Sequence, residues 1–273
     1  MLKDITLGQF FPGNSLLHRC DPRVKILVTI AYIIFVFLCN NLLSYAFILL
    51  ATVALMLLSG VPMKVYVKGL KPLVFILAFT TLYNVFFYNG KTLLADLGFA
   101  DIYLEGVVFA VVMAVRIICL LLGSSVILTY TTSPIMLTDG LERLLAPLKH
   151  LRLPVHEFAM MMTIALRFIP TLVEETDKIM SAQRARGADF SSGGLIKRAK
   201  SLVPVLIPLF ISAFRRAGDL ATAMECRCYR GGDGRTRMTQ LRLSAPDGVL
   251  VLLLCVLLAG ILVINTFLAF MPL

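Results

Sequence analysis

Five apolar runs, 26–39, 42–60, 72–88, 107–130 and 249–270, constrain this chain more than any other feature. In lipid no water is present to satisfy a backbone N–H or C=O, so a crossing segment closes its own hydrogen bonds as a helix. About 17 to 25 residues are needed to cross the hydrocarbon core. The last four runs reach that length, whereas 26–39 must draw in Val24 and Lys25 or thin the bilayer locally. Asn40 and Asn41 then make the turn into the second run.

Two further apolar stretches, 158–166 and 202–214, are bounded or interrupted by Arg167, Pro170, Pro204 and Pro208. Each is too short to span and is expected to form an interfacial helix. The hydrophobic share of 59% and mean hydropathy of +0.88 exceed what a soluble domain carries. The expected fold is an all-α integral membrane protein with about five transmembrane helices and an insertion of amphipathic helices. Residues 1–130 hold an N-terminal segment and four spans, 131–248 the insertion, and 249–273 the final span.

Charge orients this arrangement, because cytoplasmic loops are enriched in Lys and Arg. With a cytoplasmic N-terminus, 24 of the 26 basic residues are cytoplasmic: 4 up to Lys25, 3 in 61–71 and 17 in 131–248. Lys91 is then external and Arg116 lies in a span. The stretch 178–242 alone holds 13 basic and 4 acidic residues, and no nucleic-acid fold signature accompanies them. Nucleic acid is therefore not expected as a partner; membrane lipid or another protein is. The first 25 residues show no cleavage site after a short apolar core, so the first span is expected to be retained in a multi-pass protein of the cell membrane. Six scattered cysteines make no disulfide framework. Cys226 and Cys228 have no histidine near them in sequence, and a closed metal site takes about four ligands, so neither metal nor cofactor is expected.

The insertion reads as successive helices. Ser133 and Pro134 supply an N-cap and first helical position, followed by Leu137, Leu141, Leu144, Leu145 and Leu148 on one face. Pro154 opens a second segment, in which Leu166, Ile169, Val173, Thr176 and Met180 keep helical spacing until Gly187. A third runs from Ile196 through Val203, Leu206, Phe210, Phe214 and Ala221 to Arg227, with Gly231 and Gly232 beyond. Both long segments end on an arginine among small residues: Ala185, Arg186, Gly187 and Cys226, Arg227, Cys228. An arginine fork at a helix end can bond the carboxylates and carbonyls of a partner. It can equally favour its own helix C-terminus or meet lipid phosphate. The residues alone allow either.

The stretch GQFFPGNSLLHRCDPRVKIL, residues 8–27, resembles the N-terminal signature of the transmembrane T component of energy-coupling factor (ECF) transporters. Gly13, Ser15, His18, Arg19, Asp21, Pro22, Arg23 and Lys25 match that signature, with Cys20 in place of its usual leucine. RFIPTLVEETDKIMSAQRARG, residues 167–187, is similar to a coupling helix of the same family, ending in Ala185, Arg186 and Gly187. Arg227 stands where the second such motif is expected, flanked by Cys226 and Cys228 rather than Ala and Gly. The resemblance implies a non-catalytic scaffold without catalytic residues of its own. It joins two cytosolic ABC-type ATPase subunits to a substrate-binding S component that carries a vitamin or other micronutrient. On that likeness the two arginine motifs dock on the ATPases, and Leu206 and Phe210 belong to the face that meets the S component.

Other features carry less. NGKT, residues 89–92, is like the end of a P-loop, but Val85 stands where the first glycine belongs. Arg116 is costly in lipid and is expected to face protein, either a partner or the bundle itself. His18, His150 and His156 are dispersed and read as polar boundary residues. Asp21, Pro22 and Arg23 read as a helix start. The rival class, a secondary transporter or membrane-embedded enzyme working without ATPases, calls for paired interrupted spans and an internal repeat. Neither is visible.

Overall fold

The computed structural model describes residues 10–88, 90, 92–96, 101–151, 154–190, 194–232 and 241–267. It is helical throughout apart from one short antiparallel pair, β1 (Leu93–Asp96) and β2 (Asp101–Tyr103). The helices are α1 (Leu16–Arg19), α2 (Pro22–Leu38), α3 (Leu42–Ser59), α4 (Met63–Leu70), α5 (Val74–Phe87), α6 (Leu104–Ser124), α7 (Pro134–Leu145), α8 (Val155–Ala185), α9 (Leu195–Cys226) and α10 (Ala245–Phe267). A 3₁₀ turn (Lys71–Leu73) joins α4 to α5, and a π turn (Ser125–Thr129) continues α6. Two compact units result: 9–140 with 241–273, and 1–8 with 141–240.

In the first unit α2, α3, α6 and α10 pack around a core that includes Tyr32, Val36, Ile48, Cys119, Val126 and Ile261. At its centre the Tyr32 hydroxyl lies 2.7 Å from Thr52 Oγ1 and donates to the Cys119 carbonyl at 3.0 Å. Thr52 in turn donates to the Ile48 carbonyl at 2.6 Å. The Tyr32 ring can lie this close to α6 because residue 123 is glycine; a Cβ there would run into the ring. At one end of the bundle Asn265 accepts from Ser44 Oγ and donates to the Leu38 carbonyl, both at 2.8 Å. Gly60 closes α3 in the left-handed conformation (φ 68°), after which the Ser59 and Tyr66 hydroxyls meet at 2.6 Å and hold α4. The α5 helix leans on α6 and buries none of its own residues, presenting Phe75 and Phe87 as an apolar outer surface suited to lipid.

Arg116, midway along the long α6 segment, is bound within the bundle. Its guanidinium donates to the Tyr45 hydroxyl through Nε at 2.7 Å and through Nη2, and it lies over the rings of Tyr45 and Phe37. Aromatic faces and a phenol oxygen thus take the place of a carboxylate around this cation.

Among the described residues, five helices are long and apolar enough to cross a membrane. Four coincide with expected spans: 42–59, 63–87, 104–129 and 245–267. The fifth of that length and composition is 196–226, which covers the amphipathic third segment expected between Ile196 and Arg227. The helix runs unbroken through Pro204 and Pro208, and α8 does so through Pro170. An interior proline removes one hydrogen bond and bends a helix without having to end it. At 17 residues α2 carries the short apolar run 26–39; it packs against α6 and α10 with Val28, Thr29, Tyr32 and Val36 buried.

Candidate coupling surface

The second unit is organised by α8 and α9, helices of 31 and 32 residues that pack on each other. Arg216 Nη2 on α9 donates to Glu175 Oε2 on α8 at 2.7 Å. Forty-one residues separate the two, so no local pattern announces them. At the start of α8, His156 Nδ1 meets Glu142 Oε1 at 2.9 Å, and Gly232 lies against the same imidazole. His156 is therefore engaged within its unit.

The two arginine motifs fold into one geometry. After Ala185, Arg186 is the C-cap; the Gly187 N–H donates to the Arg184 carbonyl at 2.9 Å and the Ala188 N–H to the Gln183 carbonyl at 3.0 Å. After Cys226, Arg227 is the C-cap; the Cys228 N–H donates to the Glu225 carbonyl at 2.8 Å and the Tyr229 N–H to the Met224 carbonyl at 3.1 Å. Each is the paired closure of a Schellman motif, which needs a left-handed residue after the cap. Gly187 fills that position with φ 88°, and Cys228 fills it with φ 53°. Cys228 is the one non-glycine residue at positive φ among those described.

Ala185, Arg186, Gly187, Cys226, Arg227 and Cys228 are all exposed, so each helix presents a cation flanked by small side chains. Such an end lets a partner backbone approach while the guanidinium fork makes its bonds. Leu206 and Phe210 lie together on the apolar side of α9, 57% and 64% exposed, lining a groove of about 470 Å³ with Leu172, Ile207, Ile211 and Ala213. Phe210 stacks obliquely on Phe214 at 4.6 Å. The sequence singled out these side chains; it did not show that the two helix ends share one closure, because Cys228 hides the glycine signal. Asn89 and Lys91 of the P-loop-like stretch lie outside the described residues.

Residues 13–239 match the family model of the cobalt transport protein CbiQ. The chain is 57% identical over 247 residues to the energy-coupling factor transporter transmembrane protein EcfT of Ruminiclostridium cellulolyticum, covering 90% of this chain and 92% of that one. It is 54% identical to the protein of that name from Thermosediminibacter oceani, with the same two coverages. With that from Bacillus subtilis it shares 46% identity over 95% of this chain and 97% of the other. With its membrane-spanning helices and paired arginine-capped helices, the chain belongs to the family of energy-coupling factor transporter transmembrane proteins, the non-catalytic membrane scaffold of those transporters.

Proposed function

We propose that the chain couples ATP hydrolysis by two cytosolic ATPase subunits to uptake of a vitamin or micronutrient through an S component. The observation that carries this reading is the duplication of one exposed, arginine-capped Schellman end on α8 and on α9. Two like ends suit two like partners. Arg186 and Arg227 make the charge-assisted contacts, Ala185, Gly187, Cys226 and Cys228 leave room for a partner backbone, and the Leu206 and Phe210 face receives the S component. The N-terminus and the insertion are cytoplasmic, on the distribution of basic residues.

Charge reversal tests the docking assignment. Breaking one side of a desolvated ion pair costs several kcal/mol, against about 1 kcal/mol for an arginine beside lipid. Arg186→Glu and Arg227→Glu are each expected to weaken ATPase recovery with the purified chain, and the double substitution to abolish it. Lys68→Gln, on exposed α4, is the control and is expected to change little. Retention of both ATPases by the double variant overturns the assignment.

A further inference from the structure

After residue 9 the chain passes between its two units at 140–141 and at 240–241. Both passages lead away from residues that the N-terminal signature grips. On the first, Lys25 is 1% exposed, and its Nζ donates to the Thr131 carbonyl at 2.9 Å and to Thr132 Oγ1 at 3.1 Å. The Phe11 N–H donates to the neighbouring Tyr130 carbonyl at 3.0 Å. Further along α7, Gly140 sits so close to the start of α2 that a Cβ would lie 2.9 Å from the Pro22 Cβ.

On the second passage the buried Asp247 carboxylate joins two helix starts. Its Oδ2 accepts from the Ser244 N–H at 2.7 Å and from Ser244 Oγ at 3.0 Å, so the third helical residue reaches back to the residue before the head of α10. Its Oδ1 accepts from the Asp21 N–H at 2.6 Å, directly before α2. Asp21 caps α2 through the Arg23 N–H at 2.9 Å, and Arg23 bridges from Asp21 Oδ2 at 2.8 Å to the Leu241 carbonyl at 3.4 Å. Every one of these atoms lies in the unit formed by 9–140 and 241–273.

A buried ammonium and a buried carboxylate are poor devices for stability alone, since well-packed apolar side chains of like volume often do as well. What they add is direction, because each bond fixes one donor against one acceptor. We propose that Asp21, Lys25, Gly140 and Asp247 form a clasp that holds both passages in register on the bundle. Displacement of 141–240 is then handed to the membrane helices at two fixed points instead of being absorbed in the connections. These are positioning residues, and the inference rests on the proposed function, in which ATPase-driven movement enters through α8 and α9.

Hydrogen exchange on the complex purified with its partner subunits, with and without ATP plus vanadate, separates the possibilities without a known transport substrate. In the wild type, nucleotide is expected to change exchange in α8 and α9 and also in α2 and α10. In Lys25→Met the α8 and α9 response and ATP turnover persist, the response of α2 and α10 is lost, and protection of amides 130–133 falls roughly tenfold. Asp247→Asn leaves one acceptor oxygen for Asp21 and Ser244 together and is expected to reduce the α10 response, while Lys68→Gln changes nothing. A wild-type bundle response in Lys25→Met overturns the clasp. If ATPases do not accompany the wild-type chain, or α8 and α9 ignore nucleotide, the proposed function fails and the clasp with it. Should Lys25→Met not fold, Thr132→Val, which removes one acceptor and keeps the shape, decides by the same criterion.

Discussion

Gly187 and Cys228 occupy the same left-handed position after two arginine caps, yet only one of them is suited to it. A Cβ in this region costs on the order of 1 kcal/mol. Cys228→Gly is therefore expected to stabilise the chain by about 0.5–1 kcal/mol, seen as a higher midpoint of thermal unfolding in detergent. Gly187→Ala is expected to lower the midpoint by a similar amount; nothing lies within 4 Å of the added Cβ, so the cost is conformational. Gly123 differs in kind. Its substitution by Ala drives a methyl into the Tyr32 ring and is expected to cost about 1–3 kcal/mol through overpacking. An unchanged midpoint in Gly123→Ala counts against this packing. Thiol chemistry also divides by site: burial and the nearby Asp247 carboxylate push Cys20 up to about 11, keeping it protonated at neutral pH. Cys226 and Cys228 are exposed, so a maleimide is expected to modify them well before Cys20.

Among the elements, α8 and α9 show how a helix of about thirty residues tolerates interior proline. Pro204 and Pro208 stand four apart, so Pro208 lacks the N–H that would have reached the Pro204 carbonyl, and both defects fall on one side of α9. The apolar groove around Leu206 and Phe210 begins between the two prolines and continues past them. If that groove receives the S component, Phe210→Asp places a charge in an apolar contact, which is costly. The expected result is loss of the S component with both ATPases retained, measured by co-purification. Loss of all partners together would show that the groove and the arginine ends do not act separately.

For the whole molecule, the proposed orientation in the membrane rests on charge, since 24 of 26 Lys and Arg fall on one side of the expected topology. Cys226 and Cys228, exposed at the end of α9, provide a native reporter. A membrane-impermeant maleimide is expected to reach them in inside-out vesicles stripped of peripheral proteins, and not in intact cells. Modification from outside intact cells would reverse the assigned sidedness.

Membrane class, helical architecture and the paired arginine ends were legible in the sequence, because lipid leaves a backbone few options and because glycine, proline and charge mark helix ends locally. The Ser133 cap is an example: its Oγ accepts from the Met136 N–H at 3.4 Å, as the local pattern implies. Helical spacing from Ile196 to Arg227 marked α9 in the sequence, whereas whether Pro204 and Pro208 bend or end that helix depends on what continues beyond them. Tertiary structure alone decided that Arg116 is answered by Tyr45 and Phe37, and that Glu175 meets Arg216. It alone decided that Asp21 and Asp247, 226 residues apart, share one hydrogen bond. Such pairings are set by how helices cross in space, and periodicity along a chain carries no record of which helices become neighbours.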